Sequence, residues 1–206
     1  MSNQIINPWP PEFIPFPKLA RLSREALVTE KLDGTNACIF ISEHGDIVAG
    51  SRTRWITPQA DNYGFAKWVE GNKAELLKLG PGRHFGEWWG GGIQRGYGLK
   101  EKRLSLFNVT RWALYGTEPQ VIRQASPEAP EKRQDVLPEI VGLVPLLWTG
   151  VFSTNNIVAV LLGLSLEGSK AAPGFMNPEG VVVYHTASGA MFKKTIEKDE
   201  LPKGLA

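Results

Sequence analysis

Hydrophobic positions along the chain change period several times, and each change marks a new element. Residues 26–30 and 37–42 are short runs rich in apolar and β-branched side chains, the pattern of strands. The second run ends in Glu43-His44-Gly45-Asp46, a cluster of turn formers, and residues 47–50 resume an apolar stretch. Residues 37–50 therefore read as an antiparallel hairpin. Residues 63–79 switch to helical spacing, with Phe65, Trp68, Val69, Leu76, Leu77 and Leu79 on one stripe. Gly71-Asn72 interrupts the stripe and predicts a split or kinked helix, which Gly80-Pro81-Gly82 ends. Residues 83–89 and 103–112 read as two more strands, joined by the glycine-rich stretch 90–98.

Downstream, residues 118–139 carry several prolines and mixed charges and read as a loop or insertion. Residues 142–148 predict a short strand, and 155–164 a helix capped by Thr154 or Asn155. Residues 168–178 read as a loop. Residues 180–185 and 190–195 form a closing pair of strands joined through Ser188-Gly189. The five prolines within residues 7–17 suggest an extended lead-in packed on the domain. No internal repeat is visible. The sum is an α+β fold with a largely antiparallel sheet, and 206 residues suit a single domain spanning 1–206.

Composition narrows the class. An apolar share of 42% and a charged share of 21% are those of an ordinary globular protein, which sets aside disordered and fibrous classes. A net charge of +2 neither announces nor excludes a nucleic-acid partner, because a basic groove can coexist with a near-neutral total. The single cysteine, Cys38, rules out an internal disulfide framework and reads as a small buried hydrophobe. With no basic, apolar N-terminal leader and no long apolar run, the expected location is the cytoplasm. His44, His84 and His185 lack metal-ligand spacing, so no zinc site is expected. Trp88 and Trp89 should point to opposite faces of their strand, and most of the seven tryptophans read as packing residues.

The candidate chemistry lies in short segments. Glu30-Lys31-Leu32-Asp33-Gly34-Thr35-Asn36 is by itself compatible with a charged turn before the hairpin. It is followed in order by Ser51-Arg52, Phe85-Gly86-Glu87-Trp88-Trp89-Gly90, Leu106-Phe107-Asn108, Glu179-Gly180-Val181-Val182 and Phe192-Lys193-Lys194. A lysine amine must be neutral to attack phosphorus, and burial and nearby cations such as Arg52 favour that form. The same cations would offset charge on a pentavalent phosphate. Glu87 and Glu179 supply carboxylates able to orient a ribose or a magnesium ion.

This ordered set, running from Lys31 to Lys194, resembles the covalent nucleotidyltransferase superfamily of DNA ligases, RNA ligases and messenger-RNA capping enzymes. Gly34-Thr35-Asn36, where DNA ligases place an arginine two residues after the glycine, is similar to the small RNA ligases of phages and bacteria. The resemblance implies an ATP-grasp-like adenylation domain with largely antiparallel sheets flanking the nucleotide pocket. It implies an ATP- and Mg2+- (or Mn2+-) dependent enzyme that joins 5′-phosphate and 3′-hydroxyl ends of RNA. DNA or a hybrid duplex is the alternative substrate, and a nucleotide- or RNA-binding protein without activity the alternative of another class.

Its implied roles carry over residue by residue. Lys31 is the nucleophile, Glu30 the adenine reader, and Asp33 a support for the lysine, with Leu32 between them. Asn36 is an early phosphate or metal-water contact, and Arg52 a ribose and phosphate contact. Glu87 is the ribose carboxylate, Phe107 the base stack, and Glu179 the carboxylate tied to metal. Glu179 and Glu87 are thus the expected magnesium ligands, directly or through water. The last motif departs from the family's Lys-x-Lys. Lys193 and Lys194 are adjacent, so a regular strand turns only one of them into the pocket. Lys193 is the favoured one. The chain stops about a dozen residues after Lys194, so no C-terminal OB-fold domain is expected. The polynucleotide would then be gripped by Arg95, Lys100, Lys102 and Arg103, or by Lys18, Arg21 and Arg24.

Overall fold

The computed structural model describes residues 12–108, 136–197 and 199. Two sheets divide the strands. In the first, β1 (Glu25–Lys31) lies at the centre, flanked by β8 (Leu146–Val151) and β9 (Gly180–His185), and β10 (Ala190–Thr195) borders β9. In the second, the order is β4 (Trp55–Ile56), β3 (Ile47–Gly50), β2 (Thr35–Ile41), β5 (Gly82–Gly90), β6 (Lys102–Leu106) and β7 (Val141–Leu143). All pairings are antiparallel except β6 with β7. The α+β class with two largely antiparallel sheets agrees with the sequence.

Each sheet buries one face against helix. Ala37, Ile39, Ile41, Trp88, Leu104 and Leu106 cover one face of the second sheet. They pack on α1 (Phe65–Gly71), α2 (Lys73–Leu76) and the 3-10 turn after it. The break between α1 and α2 falls at the Gly71-Asn72 interruption, where the Asn72 side chain donates to the Trp68 carbonyl at 2.8 Å. Ala26, Val28, Val181 and Val183 of the first sheet pack on α3 (Thr154–Glu167) through Ile157 and Leu164. A third, smaller core of Leu32, Trp89, Tyr97, Val144 and Ala172 fastens the two sheets to each other. The sheets' remaining inner faces look across a cleft.

Four expectations are corrected. The predicted strand 142–148 is two strands in different sheets, because Pro145 cannot continue a ladder and the chain crosses over there. The N-cap of α3 is Ser153, without a side-chain cap bond. The strand expected over 103–112 ends at Leu106, and residues beyond 108, with most of the expected 118–139 loop, lie outside the described residues. The described part of the lead-in does not pack: Phe13, Ile14 and Phe16, like Leu19 after them, are 80% exposed or more, and contact starts near Leu22, whose carbonyl accepts from His185 Nε2 at 2.8 Å. Cys38, His84 and His185 are buried, and the latter two hold backbone carbonyls.

The second sheet depends most on Trp88. It is 2% exposed, packs against both Phe65 and Trp68 at ring distances of 5.4 and 5.1 Å, and donates to the Tyr63 carbonyl. Trp88→Ala should cost about 3–5 kcal/mol, read as a drop in the urea midpoint with an unchanged slope.

Candidate active site

β1 ends at Lys31, and the chain turns through Leu32-Asp33-Gly34 into β2 of the other sheet. This places the lysine where the two sheets meet. The turn is fastened on three sides. Leu32 is buried in the third core. The Asp33 amide donates to the Tyr97 hydroxyl at 2.8 Å, and its carboxylate pairs with Arg95 Nε at 3.1 Å. The Gly34 amide donates to Glu87 Oε1 at 3.0 Å. A Cβ at Gly34 would stand 2.4 Å from the Trp88 carbonyl oxygen, so only glycine brings the turn this close to β5.

The Lys31 amine donates to Glu179 Oε2 at 2.5 Å, with the two side chains 19% and 9% exposed. Glu179 arrives from the loop that leads into β9. Gly180 has φ +154° and stands opposite Lys31 in register, and a Cβ there would lie 2.3 Å from the Lys194 carbonyl. The glycine thus lets β9 sit between β1 and β10 while the adjoining carboxylate meets the lysine.

Glu87 faces the pair from β5, opposite Asn36 in register, and accepts from Asn36 Nδ2 at 3.4 Å. Burial pushes its carboxyl up to about 7; the Gly34 amide and Lys31 pull the other way, and Glu179 and Asp33 add repulsion. Two carboxylates and one amine therefore share a partly dry space.

The other expected residues distribute themselves by strand alternation. Lys193 aligns with Val182 and Thr29, on the same sheet face as Lys31, whereas Lys194 aligns with Val181 and Glu30 on the face toward α3. Lys194 pairs there with Asp199 at 2.9 Å. Glu30, expected at the adenine, is 1% exposed and also turns away from Lys31. Its carboxylate accepts from Ser169 Oγ at 2.6 Å and from the amides of Lys170 and Ala171 at 2.8 and 3.0 Å. It thereby shapes the loop whose Ala171 and Ala172 pack near Phe107 in the third core. Phe107 and the exposed Arg52 line a cavity of about 430 Å³ together with Asn36, Ser51 and Tyr184. Among the described residues no group of three or more His, Cys, Asp or Glu side chains is placed to hold a metal.

Arg95 and Tyr97 were not anticipated here. The sequence suggested a glycine-rich join between two strands, with Arg95 in a basic group gripping the polynucleotide. The stretch instead folds back as a brace, with Gln94 and Tyr97 at positive φ, and Arg95 also grips the Asn177 side chain at 2.8 Å, two residues before Glu179. The only hint in the sequence was one arginine and one tyrosine confined among closely spaced glycines. Two others of the basic group are also engaged: Lys102 donates to the Tyr63 carbonyl, and Arg103 pairs with Glu101.

Glu30→Ala tests the buried carboxylate. It strands two backbone amides and the Ser169 hydroxyl, so stability should fall by roughly 2–4 kcal/mol. The loss should appear in urea unfolding, with Glu30→Gln intermediate.

Comparison with known proteins agrees with this geometry. The family profile described as RNA ligase matches residues 24–195. No curated protein sequence is similar enough to add to it. Among solved structures, a substituted form of the Naegleria gruberi RNA ligase with ATP and manganese superposes with a TM-score of 0.56 at 19% identity, covering 83% of this chain and 48% of that one. Another, with AMP and manganese, gives 0.54 at 20% identity, covering 84% and 50%. The chain therefore spans about half the length of these ligases, and at such identity they establish the adenylation-domain fold alone. No helix of the described residues is long and apolar enough to cross a membrane. With the family match covering most of the sequence, the chain belongs to the RNA ligase family.

Proposed function

We propose that this protein is an ATP-dependent RNA ligase that works through a lysyl-AMP intermediate on Lys31. The observation that carries the reading is the 2.5 Å contact between the Lys31 amine and Glu179, held at the junction of the sheets by Tyr97, Arg95 and Gly34. A nucleophile fixed by its surroundings loses little freedom on reaching the transition state. The Lys31 nitrogen forms a bond to the α-phosphorus of ATP, the bond to the bridging oxygen breaks, and pyrophosphate leaves. Glu179 is the nearest carboxylate to take the proton that the amine must lose. Arg52, from the cavity wall, and Lys193, from the Lys31 face of β10, offset charge on the phosphate. Phe107 stacks on the base, and Asn36 steadies Glu87 toward the ribose.

The AMP then passes to a 5′-phosphate, and a 3′-hydroxyl attacks the activated end with loss of AMP. Glu87 and Glu179 fit a magnesium or manganese ion held mainly by water and phosphate oxygens, since two facing carboxylates repel each other until a cation lies near them. The ion, when bound, would neutralise phosphate charge. Naegleria ligase forms solved with manganese and ATP or AMP support this choice.

Incubation with α-labelled ATP and magnesium should leave label on the protein in a denaturing gel, and Lys31→Ala should carry none. Label persisting in the variant would move the nucleophile elsewhere. Label from GTP would point to capping chemistry, and none from either nucleotide to a binding protein.

Glu87 supplies a pH test. Its folded pKa of about 7 lies above the ordinary 4.5, so the folded state holds the extra proton between these values. Its contribution is complete below about 4.5 and is lost as pH rises through 7, by up to roughly 3 kcal/mol. The urea midpoint of the metal-free protein should fall from pH 5 to pH 8 by more than that of Glu87→Gln, and magnesium should restore part of it at pH 8. Equal pH dependence in the two proteins would remove Glu87 as the source.

A further inference from the structure

The inner face of the second sheet continues outward from Glu87 as a row of exposed aromatic rings and one arginine, Arg83, that the adenylation site does not use. Phe85 and Arg83 follow Glu87 on the same face of β5, at steps of about 7 Å for every two residues. Phe85 is 54% exposed and borders the same cavity as Arg52. Arg83 borders it too, with its guanidinium over the Phe40 ring at 5.1 Å and the Trp55 ring at 5.3 Å. Trp55 is 50% exposed and lies flat over Gly50, where the absent side chain leaves room for the indole. Met191 of β10, 67% exposed, closes the far side of the cavity.

A soluble protein does not ordinarily gather large exposed rings beside a pocket without an occupant. This patch has a definite chemical character. Rings offer stacking faces to bases of any sequence. Neither Arg83 nor Arg52 has a carboxylate partner among the ion pairs of the described residues. The Arg83 guanidinium lies over two rings and also hydrogen-bonds the Cys38 thiol, and its remaining N–H groups can meet phosphate oxygens. Aromatic faces interleaved with cations that no carboxylate neutralises, continuous with a pocket that activates a 5′-phosphate, describe a seat for a nucleic-acid strand.

We propose that the nucleotides adjoining the reacting end of the RNA lie along this face, with a base stacked on Phe85 and a backbone phosphate held by Arg83. The proposal rests on the ligase reading above. It puts the strand on the inner face of the second sheet rather than on the basic groups around residues 95–103 or 18–24.

The test uses a 5′-phosphorylated RNA 12-mer with a 3′-terminal dye, alone and annealed in a nicked duplex, titrated by fluorescence anisotropy at several potassium chloride concentrations. Phe85→Ala should weaken binding about tenfold, the value of one base stack. Arg83→Gln should flatten the plot of log affinity against log salt by about 0.7, one phosphate contact on a single strand. Lys73→Gln, which removes an exposed cation on the helical layer, should change neither. The apparent KM for ATP in self-adenylylation, measured in parallel, should stay near that of the unsubstituted protein. RNA affinity and salt slope unchanged in both inner-face variants overturn the proposal while leaving the ligase reading intact. A rise in the ATP KM matching the loss of RNA affinity assigns the face to the nucleotide instead and overturns it equally. Failure of the unsubstituted protein to take label from ATP or to bind the RNA defeats the ligase reading, and the proposal with it.

Discussion

The contact between the Lys31 amine and Glu179 is the constraint around which the rest of the structure is arranged. A lysine at the last position of a strand would ordinarily swing into solvent. Here the chain leaves β1 and enters the other sheet within three residues, and each of those residues is tied down. Leu32 is buried, Asp33 is held by Tyr97 and Arg95, and Gly34 is held by Glu87. Arg95 also grips Asn177 and so steadies the approach to Glu179 from the other side. One arginine thus couples the two loops whose side chains must meet, a support that matters when reacting groups must be placed to fractions of an ångström.

That arrangement has an electrostatic cost, and Glu87 carries it. Its carboxyl is buried, faces two other acids and accepts a backbone amide, and the first of these influences outweighs the last. An acid kept close to neutrality in the empty protein is a poor structural prop, because replacing it with an uncharged group would relieve the penalty. It makes sense where a bound cation or a developing positive centre later compensates the charge. Glu30 is the contrast. It is more deeply buried, yet three donors from one loop surround it. One carboxylate is satisfied within the fold, whereas burial disfavours the charged form of the other.

Much of the strand content was legible because the apolar runs have the right length and turn signals. The hairpin ending at Gly50 and the closing pair β9–β10 appear where the pattern put them. Alternation alone separated Lys193 from Lys194, and the register across β1, β9 and β10 gives the same separation. What stayed hidden depends on contacts distant in sequence. Pro145 marked a break, but nothing local says that the strands on its two sides join different sheets. Arg95 looks like any surface cation until Asp33 and Asn177, 62 and 82 residues away, are brought to it. Glu30 sits beside Lys31 in sequence and is separated from it by the simplest rule of a strand, that neighbours point to opposite faces.

The same rule explains why this architecture produces a cleft. Each sheet spends one face on its own helical core, so the inner faces are covered only where the third core joins them. Leu32, Trp89 and Tyr97 close that end, and the Lys31–Glu179 pair lies beside them, shielded and narrow. Toward the outer ends of β2 and β5 the first sheet contributes Tyr184 and Met191 to the wall of the cavity. A strand entering there meets rings and arginines before it reaches the amine. Closure at one end and openness at the other are consequences of a single placement: one small core set off-centre between two sheets that are each already stable on their outer sides.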